Sequence, residues 1–134
     1  MSYNLFLDDF RMPEDVPFHY DPAEHPGIYT LQIWDIVRSY RAFVDHILHY
    51  GVPQMVSFDH DLAAEHYANE MFLDPVKYKS LYNSFKEKTG LHCAKWLKNH
   101  CTENRLDLPA VILCHSRNPV GRANILEVFG VSGG

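Results

Sequence analysis

The sequence predicts an α/β fold, a mainly parallel four-stranded sheet flanked by helices, with one segment inserted after the third strand. Three observations carry this. The runs Leu5-Phe6-Leu7, Val56-Ser57-Phe58 and Val111-Ile112-Leu113-Cys114 are apolar without alternation, as strands covered on both faces are. Each run stops abruptly in polar chemistry, at Asp8-Asp9, at Asp59-His60-Asp61 and at His115-Ser116. Segments of helical periodicity separate the runs, as in sheets built from parallel crossovers.

The first strand is read over Tyr3 to Leu7. Phe10 to Gly27 carries Pro13, Pro17, Pro22 and Pro26, which remove backbone donors, so it is read as a long ordered loop. A loop of that length in a compact domain usually serves function. Ile28 to Trp34 is rich in β-branched and aromatic residues and is predicted as the second strand. Ile36, Val37, Tyr40, Phe43, Val44, Ile47 and Leu48 recur at helical spacing, which predicts a helix of about four turns closed by Gly51. Gln54 to Phe58 is the third strand.

Ala63 to Lys88 is polar, aromatic and weakly periodic, and reads as an insertion or capping segment. From Thr89, a candidate cap, to Arg105 a helix carries Leu91, Ala94, Leu97 and Cys101 on one face. Ala110 to Cys114 is the fourth strand, and Asn118-Pro119 opens a last helix reaching Phe129. Gly130 to Gly134 reads as a frayed tail.

With 134 residues, 46% hydrophobic and 22% charged, the chain fits a single domain, residues 1–134, able to bury one core without disulfides. Cys93, Cys101 and Cys114 lie in apolar patterns without metal-ligand spacing, and are expected reduced and buried. No apolar run approaches the ~20 residues of a membrane span, and the N-terminus lacks a basic signal region. The expected location is the cytoplasm. A net charge of −5 with scattered lysines argues against a nucleic-acid polymer as partner. A small phosphorylated ligand, with a cyclic nucleotide among the candidates, is the expected partner.

If strands one and three are neighbours, Asp8, Asp9, Asp59 and Asp61 crowd one edge of the sheet. Two carboxylates ~4 Å apart repel by roughly 4 kcal/mol at an effective dielectric near 20, so such a cluster protonates or recruits a cation. Oxygen ligands alone favour Mg²⁺, whereas a contribution from His60 or His115 shifts preference toward Mn²⁺, Fe²⁺ or Zn²⁺. The His115 to Arg122 segment joins a buried strand to a helix, so its N–H groups favour an anion, with Ser116, Asn118 and Arg122 as further donors. Arg11 is a second candidate phosphate contact. The other histidines follow no ligand spacing, although the long loop can carry His19 or His25 over the site.

The motifs Leu5-Phe6-Leu7-Asp8-Asp9-Phe10-Arg11-Met12-Pro13, Val56-Ser57-Phe58-Asp59-His60-Asp61-Leu62 and His115-Ser116-Arg117-Asn118-Pro119-Val120-Gly121-Arg122-Ala123-Asn124-Ile125 together resemble the cyclic-phosphate-processing receiver-like family, over nearly the whole chain. That resemblance implies a divergent, truncated relative of the flavodoxin-like response-regulator receiver. There, acids matching Asp8, Asp9 and Asp59 hold Mg²⁺ and accept a phosphoryl group, and the receiver hydroxyl is matched by Ser116 or displaced by His115. The invariant Lys of a fifth receiver strand has no counterpart, which argues against ordinary phosphorelay signalling.

What the resemblance implies is a metal-dependent phosphoesterase acting on a small or cyclic phosphate ester. Asp8, Asp9 and Asp59 hold the metal, His60 or Asp61 activates water, and His115 protonates the leaving oxygen. Arg11, Ser116, Asn118 and Arg122 hold the phosphate. A covalent variant has Asp59 as nucleophile. Two readings compete with it: a non-catalytic module that binds a phosphate ligand or a protein, and a degenerate receiver phosphorylated on Asp59.

Overall fold

A computed structural model describes residues 2–17, 20–62 and 89–130. The segment read as an insertion, 63–88, and the tail from 131 lie outside the described residues, as does His19. Among the described residues the four strands are β1 (Asn4–Leu7), β2 (Asp35–Val37), β3 (Met55–Phe58) and β4 (Val111–Cys114). The helices are a single turn α1 (Ile28–Leu31), then α2 (Tyr40–Tyr50), α3 (Gly90–Glu103) and α4 (Pro119–Val128). A 3₁₀ turn, Pro13–Asp15, punctuates the loop after β1. Among the described residues no helix is long and apolar enough to cross a membrane.

All strands run parallel in the order β2-β1-β3-β4, so the two acid-tipped strands are neighbours. The strand period of two then divides the side chains between two faces. Leu5, Leu7, Val56 and Phe58 point to one face, where they meet Phe43 and Ile47 of α2, Cys93, Ala94 and Leu97 of α3, and Ile125 of α4. Phe6 and Met55 point to the other. That face is closed by Val16, Ile28, Tyr29 and Trp34 from the proline-rich loop and α1. The three cysteines are free and buried.

Two elements differ from the sequence expectation. Ile28 to Trp34 is not the second strand: Gly27, at φ 73°, starts the α1 turn, and the chain pairs with β1 only from Asp35. The apolar residues of this stretch cover the sheet and do not extend it. Tyr29 and Trp34 stack at 5.7 Å, both rings pack on Phe6, and Trp34 Nε1 donates to the Ile28 carbonyl. Ile36 and Val37 accordingly belong to β2, and α2 begins later, at Tyr40, where Ser39 Oγ accepts from Ala42 N–H. Gly51 closes α2 as expected, its N–H bonding the Ile47 carbonyl.

The start of α3 is docked onto the end of β3. Gly90 N–H donates to the His60 carbonyl at 2.8 Å, and a Cβ on Gly90 would run into the Asp59 carbonyl. Thr89 N–H in turn donates to His92 Nδ1, so the helix entrance is closed by its own first turn. Gly90→Ala is therefore expected to lower stability by about 1–3 kcal/mol, the usual range for forcing an extra carbon into a packed contact. The midpoint of urea unfolding reads it; an unchanged midpoint would show that α3 can slide off the β3 terminus at no cost.

Candidate functional site

The register places the polar tips side by side. Each strand is prolonged by one ladder bond: Asp8 N–H to the Val37 carbonyl, Asp59 N–H to the Leu7 carbonyl and His115 N–H to the Phe58 carbonyl, at 3.0 to 3.1 Å. Asp8, Asp59 and His115 thus continue β1, β3 and β4 in step, with side chains on the face that the proline-rich loop covers. Asp9, half-buried, completes a group in which one carboxylate oxygen each from Asp8, Asp9 and Asp59 lies within 4.8 Å of the other two.

Asp8 is fully buried and held from four directions. Its Oδ1 accepts from the Phe10 and Arg11 backbone N–H groups at 3.0 and 2.8 Å. Its Oδ2 accepts from Arg11 Nε at 2.8 Å and from His115 Nε2 at 3.0 Å. Burial alone would raise its pKa, yet these bonds outweigh it and hold the carboxyl below the usual carboxylate range. Arg11 also reaches Asp59 Oδ1 and the His115 carbonyl, each at 3.5 Å. The arginine expected to hold phosphate therefore bridges two of the acids.

Asp59 has the opposite balance. Burial, and then the neighbouring charge of Asp8, push its carboxyl up to about 8; Arg11 opposes this, while Asp61 and Asp9 add to it. Among the described residues these three carboxylates converge on one point, and the ligand atoms they offer are all oxygens. Those two features fit a hard divalent cation.

The imidazole of His115 does not face outward. It lies over Phe6, ring centroids 4.3 Å apart and planes within 8°, with Nδ1 2.7 Å from Ser57 Oγ. Burial lowers its pKa, against the opposing pull of Asp8. His60 and Asp61 bond each other, Nδ1 to Oδ1 at 3.0 Å, both about 1% exposed, and a Cβ on Gly121 would strike the His60 ring. This pair sits beneath the first turn of α4.

Ser116 and Asn118 shape the adjoining loop: Ser116 Oγ accepts from Asn118 N–H, and Asn118 Oδ1 caps α4 through Gly121 N–H. Arg122 Nε donates to the Cys114 carbonyl. It lines a groove of about 840 Å³ along β4 with Tyr20, Asp21, His25 and Tyr29. The structure thus brings Asp8, Asp9, Asp59, Arg11 and His115 together, sets Ser116 and Asn118 in the next loop, and gives His60 and Asp61 a packed pair of their own.

Three participants escaped the sequence reading. Arg38, directly after β2, donates through one nitrogen to the carbonyls of Asp8 and Arg11, pinning the loop that carries the acids. Nothing in its local pattern signals this. Tyr29 and Ser57 share a 2.7 Å hydrogen bond beneath His115. Ser57 had a signal, as the one polar residue within a buried run.

A parallel sheet with a buried acidic cluster at its carboxyl edge, two acids after β1 and one after β3, defines a receiver-like α/β domain. Residues 3–130 match the family described as cyclic-phosphate processing Receiver domain, and the chain belongs to it. The domain is accordingly linked to cyclic-phosphate processing. No curated protein and no solved structure matches the chain significantly.

The two acids pull stability in different pH windows. Asp8 favours the folded state above the ordinary carboxylate pKa near 4, and that contribution fades only in stronger acid. The folded protein keeps a proton on Asp59 up to about 8, which the unfolded chain releases near 4. In chelator, stability should therefore fall as pH rises from about 4 to about 8. Asp59→Asn should flatten this slope and raise stability at pH 8 by about 1–3 kcal/mol. Denaturant titrations across the range read it, and a variant less stable than wild type at pH 8 would contradict the assignment.

Proposed function

We propose that the chain hydrolyses a small or cyclic phosphate ester, a nucleotide among the candidates, with a divalent cation, Mg²⁺ in first place, held by Asp8, Asp9 and Asp59. The observation that carries this reading is the acid cluster: one oxygen from each of Asp8, Asp9 and Asp59 lies within 4.8 Å of the others, and the Asp59 carboxyl is pushed up to about 8 even beside Arg11. Within the family's link to cyclic phosphates, a cation there supplies Lewis-acid polarisation of a phosphoryl oxygen. The protein's own groups do the rest. Arg11 keeps Asp8 and Asp59 at a fixed separation. Ser116, Asn118 and Arg122, at the entrance of α4, hold the phosphate, helped by the positive end of the helix.

His60 is the proposed base for the attacking water, with Asp61 orienting its ring. His115 enters as a positioning group and not as the acid for the leaving oxygen, because both its nitrogens are engaged inside the protein. The leaving oxygen takes its proton from solvent. A covalent path through Asp59 uses the same residues.

The second reading is a non-catalytic module that binds the same phosphate. The deep burial of His60, 1% exposed under Gly121, favours it.

The test is a screen of cyclic and linear phosphoesters with Mg²⁺, Mn²⁺ or Zn²⁺ and with chelator. Hydrolysis should require metal, fall at least 100-fold in Asp59→Ala and roughly 10²–10⁴-fold in His60→Ala, the usual share of a general base. Metal-dependent ligand binding without turnover of any ester would replace this reading by the binding module.

A further inference from the structure

Beneath the acid cluster runs an unbroken chain of hydrogen bonds: Tyr29 hydroxyl to Ser57 Oγ at 2.7 Å, Ser57 Oγ to His115 Nδ1 at 2.7 Å, and His115 Nε2 to Asp8 Oδ2 at 3.0 Å. Tyr29 is 3% exposed and Ser57 and His115 are 0% exposed, so water does not compete for these groups. The donors can be assigned by elimination. An ionised Asp8 only accepts, so Nε2 of His115 carries the hydrogen. With Nδ1 bare, Ser57 donates to it and Tyr29 donates to Ser57.

The chain spans elements far apart in sequence, with Tyr29 on α1, Ser57 in the middle of β3 and His115 after β4. Tyr29 also makes an edge contact with the His115 ring at 5.9 Å, while Phe6 stacks on the ring's face at 4.3 Å. The imidazole is thus fixed in plane by packing and in tautomer by hydrogen bonds.

We propose that Tyr29 and Ser57 are positioning residues: they lock His115 in its Nε2–H tautomer and so aim the Asp8 carboxylate for the cation bound at the cluster. This rests on the cation-dependent reading above. Partners that orient a metal's ligands commonly govern affinity although they never touch the metal. Without the Ser57 hydroxyl, Nδ1 is a buried acceptor lacking its donor. The ring then gains by moving its hydrogen to Nδ1, which turns a lone pair toward Asp8 and breaks that bond.

The experiment uses the full chain, labelled with ¹⁵N at histidine and ¹³C at aspartate, with Mn²⁺ as the probe for binding. At pH 7 His115 should show a neutral Nε2–H tautomer. Ser57→Ala should move the tautomer toward Nδ1–H, displace the Asp8 carboxyl ¹³C shift and weaken Mn²⁺ binding at least about tenfold. Ser57→Thr, which keeps the hydroxyl, should restore all three. If Ser57→Ala does not fold, Tyr29→Phe carries the test, with a displaced Asp8 shift and roughly threefold weaker binding. Wild-type tautomer, Asp8 shift and Mn²⁺ affinity in the folded variants would overturn the proposal, as would an imidazolium at His115 in the wild type. Should the wild type bind neither Mn²⁺ nor Mg²⁺, the phosphoesterase reading fails. The Asp8 shift then decides the relay alone: displaced in the variants it stands, unchanged it falls.

Discussion

An ionised carboxylate taken fully out of water costs several kcal/mol, and Asp8 is such a group. Four hydrogen bonds offset that cost, and bonds to a charged partner contribute about 1.5–3 kcal/mol each. The donors come from the start of the loop after β1 and from the residue after β4, 107 positions away. One side chain thereby fixes where the proline-rich loop leaves the sheet and where the last strand ends. Arg38 closes the arrangement from β2 through the carbonyls of Asp8 and Arg11. Every strand except β3 contributes to holding this one carboxylate, and β3 contributes Ser57 beneath His115.

Its neighbour Asp59 is under a different balance. Asp59 sits one strand away with a weaker hold on the same guanidinium and meets Asp8's charge at close range. Two acids of the same kind are thus driven in opposite directions, one below the usual range and one to about 8. Such divergence is characteristic of sites where environment assigns different roles to identical groups. The loop returns the N–H groups of Phe10 and Arg11 to the strand it has just left, where both bond Asp8, while burial and the charge of Asp8 act on Asp59.

The same logic explains what could be read from the sequence. Strands β1, β3 and β4 were legible because burial on both faces leaves unbroken apolar runs, and their polar tips marked the site. The parallel order then placed Asp8, Asp9 and Asp59 together. Ile28 to Trp34 misled because β-branched and aromatic residues mark any half-buried surface, and this stretch covers the sheet from outside. Ser39, an ordinary cap, signalled the true start of α2 more faithfully than the apolar period that ran through Ile36 and Val37. The position of His115 was legible but its direction was not, since nothing local tells that its ring folds back over Phe6 to reach across two strands. Tyr29 and Arg38 belong to the same class: their roles exist only once distant segments meet.

The network below the site differs from a proton wire. Moving a proton from Tyr29 toward Asp8 would leave a buried phenolate, and burial holds the Tyr29 hydroxyl well above its usual pKa. It would also protonate a carboxylate that four donors keep ionised, while the intervening ring resists carrying charge. Each link therefore opposes charge transfer and favours a fixed orientation. What passes along the chain is position. Tyr29 belongs to the cover over the sheet and lines the groove shared with Asp21 and Arg122. A displacement of that cover changes the support of His115, and through it Asp8, without any side chain at the acid cluster being touched directly.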